Sequence, residues 1–294
     1  MSKERSIDKG WLAYGALAIG VICIGCSAIF VKIAGVPGPV SAFYRLLVAC
    51  IVLVPLGVFK GSLRRSKNDL FLIFAGGVFF AMDLTLWNTG LLLTSAATAT
   101  LLANTAPLWV GLGSLFLFRE YLSSRYWIGL AIAISGMTII MGVDALRRLS
   151  LNPGDALSIG ASVFYAAFLL TTQRARARVD TLTFVTLAVL SSVLVLLPIN
   201  LALGSTLRGF STKTWAALVG LGLVSQFGGW LAISYSLGYL RAASVSVCLL
   251  GQPVVTALLS IPILGEYLHL NQIIGGAFVL AGIYLVNRQT EKKK

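Results

Sequence analysis

The chain has 294 residues, of which 57% are hydrophobic and only 11% are charged. A soluble domain of this length needs more charge at its surface, so the composition excludes a soluble globular protein. The formal charge of +13 would suggest nucleic acid as a partner in a soluble protein. Here the Lys and Arg residues lie between long apolar segments, so we predict a lipid bilayer as the partner and no nucleic acid.

The apolar segments follow one another along the chain, and each is long enough to cross a bilayer. The first segment could be a signal peptide, but it is too long and many similar segments follow, so we interpret it as a retained helix. The sequence therefore predicts an all-α membrane protein with ten transmembrane helices. Their approximate bounds are 11–33, 39–59, 69–92, 95–117, 124–143, 154–173, 180–203, 212–238, 242–263 and 270–287.

Most of the Lys and Arg residues between these segments lie on the side that both chain ends share. By the positive-inside rule, the N- and C-termini are then cytoplasmic. An even number of spans requires the two ends to lie on the same side. We predict a multi-pass protein of a bacterial-type inner membrane.

An internal repeat appears when the chain is shifted by 146 residues. Its matched positions include Pro107 and Pro253, Glu120 and Glu266, Gly129 and Gly275, and Gly136 and Gly282. The two repeats are residues 1–148, with helices 1–5, and residues 149–294, with helices 6–10. Five spans are an odd number, so the second repeat enters the membrane in the inverted orientation. This arrangement is typical of secondary transporters, whose substrate sites lie near the midplane of the bilayer.

Asp83 is the only acid well inside a predicted span, where a carboxylate is costly to bury. Phe79 and Trp87 lie one helical turn away on either side of it and share its face. An aromatic, a carboxylate and a second aromatic suit an organic cation or the ammonium group of an amino acid. The alternative is a structural acid that pairs with Arg45 or Lys32.

Gln226, Trp230 and Ser234 recur at four-residue intervals in the eighth span. A buried amide beside a tryptophan indicates a cavity with a few oriented polar groups. The alternative is a glycine-rich helix that packs closely, with its tryptophan at the membrane interface. Tyr44 and Tyr165 are further candidates for contact with a planar substrate, although membrane tyrosines more often pack or lie at the interface.

Pro107 and Pro253 fall inside predicted spans, where each removes a backbone hydrogen bond. Because they are equivalent in the repeat, we predict hinges that gate the carrier; the alternative is a pair of static kinks. The glycines of each repeat are seven residues apart and share one face, which predicts close helix packing. The sequence has no phosphate loop, metal cluster or catalytic triad, so we predict no enzyme, no metal site and no cofactor.

Each half thus carries a proline, a glutamate, an Ile-Gly pair and a further glycine at matching positions. This pattern resembles the EamA repeat of the drug/metabolite transporter superfamily, and Lys32 and Arg45 resemble that family's charged residues in the first two helices. The resemblance implies a ten-helix carrier that exports amino acids, related metabolites or lipophilic cations. Within the superfamily, the chain is most similar to the YddG-type aromatic amino acid exporters.

We therefore expect a secondary transporter that exports a small-molecule substrate, most of all aromatic or other neutral amino acids. It works by alternating access through a central cavity, as a monomer or homodimer. Lys32, Arg45 and Asp83 occur in the first half only and are the candidates for charge recognition or ion coupling. A proton-coupled exporter of lipophilic cations is the alternative, and a non-transporting membrane scaffold or sensor is a second one.

Overall fold

The computed structural model describes residues 2–60, 66–142, 152–265 and 267–288. Over these residues the chain forms helices joined by short connections, without a β-strand. Within the same residues, ten helical stretches have the length and apolar composition needed to cross a membrane. The predicted all-α fold class and the ten spans are confirmed.

Several spans consist of more than one helix. The helices in chain order are α1 (Ser2–Ala34), α2 (Gly38–Phe59), α3 (Lys67–Leu93), α4 (Ala96–Ala103), α5 (Ala106–Phe118), α6 (Ser124–Met141), α7 (Pro153–Arg176), α8 (Thr181–Ala202), α9 (Thr212–Gly220), a π-helix (Leu221–Gly229), α10 (Trp230–Leu237), α11 (Ala242–Leu249), α12 (Gln252–Leu264) and α13 (Leu270–Asn287). The eighth span contains α9, the π-helix and α10.

The chain divides into two compact units, each made from two stretches of sequence. Unit 1 contains Met1–Thr85 and Thr171–Arg241, and unit 2 contains Leu86–Leu170 and Ala242–Lys294. Helices α3 and α7 therefore contribute residues to both units. The predicted domains, residues 1–148 and 149–294, describe a repeat in the sequence and not these units, and that division stays a prediction.

In unit 1, α1 packs along the eighth span through small residues and hydroxyl groups. Three side chains of the eighth span donate hydrogen bonds to carbonyl oxygens of α1: Ser236 to Ala13 at 2.8 Å, Ser225 to Cys23 at 2.8 Å, and Thr214 to Ala34 at 3.1 Å. Because later residues of one helix meet earlier residues of the other, the two run antiparallel. Such hydrogen bonds between helices, together with small residues, hold helices together in a lipid environment.

In unit 2, α6 and α13 meet through glycines. A Cβ atom on Gly136 would lie 2.5 Å from the carbonyl oxygen of Gly275, and one on Gly282 would lie 2.4 Å from the carbonyl oxygen of Gly129. Only glycine allows backbones to approach this closely, so the predicted packing role of these four residues is confirmed. The pairing also shows that α6 and α13 run antiparallel.

The fourth and ninth spans are each broken into two helices, at Asn104–Thr105 and at Leu250–Gly251. The expectation that Pro107 and Pro253 interrupt a continuous helix was therefore wrong. Each proline lies in the first turn of a new helix, α5 or α12. A proline is favoured there because its missing N–H has no partner to lose. Whether the breaks act as hinges stays a prediction.

Helix bounds in the two sequence halves also correspond. Ala96–Ala103 and Ala242–Leu249, Ala106–Phe118 and Gln252–Leu264, and Ser124–Met141 and Leu270–Asn287 are pairs of equal length, offset by the 146 residues of the sequence repeat. Helices α5 and α12 both end at a residue in the left-handed conformation, Arg119 with φ 53° and Gly265 with φ 69°. Local structure therefore repeats with the sequence in this part of the chain.

Candidate functional site

The middle of the eighth span, Leu221–Gly229, is a π-helix. Its hydrogen bonds join residues five apart instead of four, and π-helical turns are rare and frequently found at functional sites. Each turn of a π-helix is wider than a turn of an α-helix. Gln226 and Trp230 are four residues apart, so they do not share one face as they would in an α-helix. The segment instead turns Gln226 toward α2.

Gln226 is almost completely buried, with 1% of its surface exposed. Its Oε1 atom accepts a hydrogen bond from Nε of Arg45, at 3.0 Å. Arg45 is half-buried in the first half of α2. An arginine inside a membrane span is costly unless polar groups surround it, and Gln226 is one such group.

A glycine makes this contact possible. A Cβ atom on Gly222 would lie 2.5 Å from Cβ of Val48 and 3.1 Å from the carbonyl oxygen of Arg45. Any side chain at this position would push the π-helix away from α2, and the amide of Gln226 would move with it. The glycine-rich packing and the polar site, predicted as alternatives, therefore occur together.

Asp83 is an acid inside a membrane span of unit 1. It lies on α3, is half-buried, and interacts electrostatically with Arg45. Lys32, the other predicted cation, is exposed in the last turn of α1. Unit 1 thus holds a carboxylate and a guanidinium that act on each other inside membrane spans, with a buried amide bound to the guanidinium.

Two aromatic rings accompany these charges. Phe80 and Trp230 pack edge to face with their centroids 5.0 Å apart, and each is 3% exposed. Trp230 follows the π-helix directly, and Phe80 lies three residues before Asp83 on α3. The ring that contacts Trp230 is Phe80, the neighbour of Phe79; the predicted role of Phe79 on the face of Asp83 stays a prediction. An apolar group beside the charges suits a substrate with both polar and aromatic parts.

In unit 2, aromatic and hydroxyl groups meet where the fourth span is broken. Nε1 of Trp109 donates to Oγ of Ser162 at 2.8 Å, and Oγ1 of Thr105 lies 3.1 Å from the same oxygen. Tyr165 is half-buried three residues further along α7. The indole N–H of Trp87 is buried and has no hydrogen-bond partner among the described residues.

The remaining predicted residues have contacts that explain them by packing. The hydroxyl of Tyr44 donates to the carbonyl oxygen of Leu207, and its ring packs edge to face on Trp215, with centroids 5.0 Å apart. Ser234 is buried in α10, and its carbonyl oxygen accepts a hydrogen bond from Nε of Arg176 at 2.9 Å.

Two residues with evident roles in unit 1 were not predicted, Phe80 and Arg176. Arg176 ends α7 and also donates to the carbonyl oxygen of Val179, so it satisfies carbonyls near two helix ends. In the sequence, Arg176 is a cation at the end of a span. The orientation of the chain in the membrane is enough to explain such a residue, so the sequence does not indicate its contacts. Phe80 adjoins Phe79, and the sequence does not decide which of two neighbouring rings faces inward.

No group of three or more His, Cys, Asp and Glu side chains within the described ranges could hold a metal ion. The EamA-like transporter family matches two stretches of the chain, residues 11–142 and 152–288. The chain belongs to this family. It is therefore a membrane transporter of the EamA type, within the drug/metabolite transporter superfamily, and family membership favours transport over a role as an enzyme, scaffold or sensor.

Relatives agree with this assignment. A Streptantibioticus cattleyicolor protein described as a probable terminal-alkyne amino-acid exporter is 28% identical over 253 residues, covering 84% of this chain and 82% of the relative. An uncharacterized transporter of Archaeoglobus fulgidus is 30% identical over 229 residues, covering 77% and 80%. A solved crystal structure superposes with a TM-score of 0.78 at 18% identity, covering 97% of this chain and 99% of that one. That likeness concerns the fold.

Proposed function

We propose that this transporter exports neutral amino acids, above all those with aromatic side chains, from the cytoplasm. The observation that carries the proposal is that an acid and a base, Asp83 and Arg45, both lie inside membrane spans of unit 1, together with the Phe80–Trp230 ring pair. Arg45 matches the carboxylate of an amino acid, Asp83 matches its ammonium group, and the rings match its side chain.

The charge balance of this site favours a zwitterion. A charged group inside a membrane span is costly unless an opposite charge compensates it. A zwitterion exchanges the interaction between Arg45 and Asp83 for two interactions of the same kind, so the net charge in the span does not change. A substrate with a single charge would leave one group uncompensated.

The description of the Streptantibioticus cattleyicolor relative as an amino-acid exporter supports the substrate class and the direction of transport. For this chain, we place the protein in a bacterial-type inner membrane with both termini in the cytoplasm. That orientation is supported by the positive residues on the side of both chain ends.

We propose alternating access between two inverted repeats as the mechanism. It is supported by the antiparallel contact of α6 and α13, in which Gly129 meets the counterpart of Gly136, and Gly136 meets the counterpart of Gly129. A two-fold axis across two equivalent helices produces this exchange of partners. Inverted repeats of this kind allow two end states with similar packing.

Efflux of labelled phenylalanine from proteoliposomes tests the proposal. We expect saturable efflux that unlabelled tryptophan and leucine inhibit and that phenethylamine, a cation without a carboxylate, does not. The absence of saturable flux for every neutral amino acid tested would show that the substrate class is wrong.

Export of lipophilic cations in exchange for protons is a second candidate, because Asp83 is a half-buried acid inside a span. Asp83→Asn separates the two. A proton-coupled cation exporter loses its response to a pH gradient in this variant. An amino-acid carrier that uses Asp83 to bind the ammonium group shows a raised KM instead, at every imposed gradient.

A further inference from the structure

The hydrogen bond between Arg45 and Gln226 joins a charged donor to a neutral acceptor. It has ordinary length, 3.0 Å, and its acceptor is buried in the π-helix of the eighth span. A carboxylate is a stronger acceptor for a guanidinium than an amide is, because both partners are then charged, and its two oxygens match the planar arrangement of the donors. A substrate carboxylate is therefore a better partner for this N–H than Gln226.

The conformation of the π-helix bears on how firmly Gln226 is held. The segment is anchored at the preceding residue, where Oγ of Ser225 donates to the carbonyl oxygen of Cys23 at 2.8 Å. Beyond Gln226, a Cβ atom on Gly228 would meet only the carbonyl oxygen of Leu223, at 3.5 Å, which is within the same segment. The π-helix therefore has free space beside Gly228, two residues after Gln226, whereas at Gly229 it packs against α1, where a Cβ atom would lie 2.9 Å from Cγ1 of Ile24.

We infer that Gln226 and the carboxylate of the substrate are alternative acceptors for Nε of Arg45, so that a carboxylate which binds Nε and a terminal nitrogen of the guanidinium together displaces Gln226. The inference rests on the proposed function and refines it in two ways. It makes the carboxylate the group that every good substrate must have, and it makes Gln226 a residue that sets affinity by competition.

Two substitutions of Gln226 with opposite expected effects test the inference. Gln226→Leu keeps the size of the side chain and removes the acceptor, so the substrate no longer has a competitor. We expect the KM for phenylalanine efflux to fall roughly tenfold, since an apparent dissociation constant is the intrinsic one divided by the fraction of sites that are available. Gln226→Glu offers Arg45 a permanent carboxylate, so we expect the KM to rise at least tenfold.

Asn200→Leu is the matched control. Asn200 is also a fully buried amide in unit 1, but its Nδ2 donates to the backbone carbonyl oxygens of Pro39 and Leu196 and does not touch Arg45. This variant reports the cost of losing a buried amide, seen as less folded protein and a lower maximal rate. Its KM should stay that of the unchanged protein. A purely structural Gln226 would behave like Asn200 in both of its variants.

Competing ligands supply an independent measurement. In the unchanged protein we expect phenylalanine to inhibit its own labelled efflux and phenylalaninamide, which lacks the carboxylate, to inhibit at least tenfold less well. In Gln226→Glu, the preference for phenylalanine over phenylalaninamide should fall, because the introduced glutamate repels the carboxylate of the substrate.

The outcomes distinguish a failure of the proposed function from a failure of the competition between Gln226 and the substrate. If the unchanged protein shows no amino-acid flux, the proposed function fails. If it shows flux but Gln226→Leu raises KM, or Gln226→Leu and Gln226→Glu shift KM in the same direction, the competition is refuted while the function stands. A carrier that moves phenylalaninamide as well as phenylalanine also refutes it.

Discussion

Two antiparallel helix contacts of this transporter, one in each unit, use different means. In unit 2, α6 and α13 meet through glycines that leave no room for a side chain. In unit 1, the eighth span contacts α1 and α2 through hydroxyl–carbonyl hydrogen bonds and through the bond between Arg45 and Gln226. The first contact depends on close backbone packing, with one exposed hydrogen bond from Nδ2 of Asn271 to the carbonyl oxygen of Ile139 at 3.4 Å. The second depends on polar side chains that can take other partners.

The sequence repeat sharpens the difference. In unit 2, both sides of the contact carry equivalent residues, because Gly129 corresponds to Gly275 and Gly136 to Gly282. In unit 1, the shift of 146 residues pairs Gln226 with Phe80 and Asp83 with Gly229, so neither of these two polar groups has a polar counterpart. We propose that the symmetric contact serves the framework and that recognition uses the positions where the symmetry is lost.

The largest effect is expected from the framework contact. Gly136→Val would place a side chain 2.5 Å from the carbonyl oxygen of Gly275 and 2.7 Å from the nitrogen of Val279, and neither backbone atom can move alone. Forcing extra atoms into a tight contact costs about 1–3 kcal/mol or more. We expect a lower melting temperature in detergent and less monodisperse protein.

Gly15→Val is the control for this substitution, because no atom lies within 4 Å of a Cβ atom there. It makes the same chemical change in a helix and should leave the melting temperature close to that of the unchanged protein. An equal fall in melting temperature in both variants would mean that helix propensity, and not the contact of α6 with α13, explains the effect.

The next effect concerns the charges. Arg45→Gln removes the guanidinium and leaves Asp83 without that opposite charge inside a membrane span, where an uncompensated charge is costly. We expect low expression and loss of phenylalanine efflux. The double variant Arg45→Gln with Asp83→Asn should recover expression without recovering efflux, because the charges compensate each other for folding but act separately on the substrate.

Lys213→Gln is the matched control, since Lys213 is an exposed cation in the first turn of α9. It should transport normally. If the double variant recovered efflux as well as expression, Arg45 and Asp83 would be a structural pair without a role in recognition.

The ten spans and the packing glycines could be predicted because they depend on periodicity and residue size, which the sequence states directly. Asp83 and Arg45 could be singled out because a charge in an apolar segment is costly. The π-helix could not be predicted, because its hydropathy pattern is that of any apolar helix and its turn depends on contacts with α1 and α2. For the same reason, the sequence could not show that Phe80, the neighbour of Phe79, is the ring that contacts Trp230.

The two prolines also show a structural feature that the sequence does not decide. Pro107 and Pro253 were expected to remove a hydrogen bond inside a continuous helix, but the sequence does not tell a kinked helix from the start of a new one. The difference depends on whether the preceding residues can end their helix. At the fourth span they do so locally, because Nδ2 of Asn104 donates to the carbonyl oxygen of Thr100 and Oγ1 of Thr105 to that of Leu102.

The smallest effect is expected at the ring pair, where Phe80→Leu keeps an apolar side chain and removes the edge-to-face contact with Trp230. We expect the ring of the substrate to pack against this pair, and an aromatic contact is worth about 0.5–1.5 kcal/mol, so the preference for phenylalanine over leucine, measured as the ratio of their Vmax/KM values, should fall roughly threefold to tenfold. Phe71→Leu is the control, because Phe71 is 74% exposed on the same helix. A preference that is unchanged in Phe80→Leu, or equally reduced in Phe71→Leu, would separate the ring pair from substrate selection and leave the charges as the whole of the recognition site.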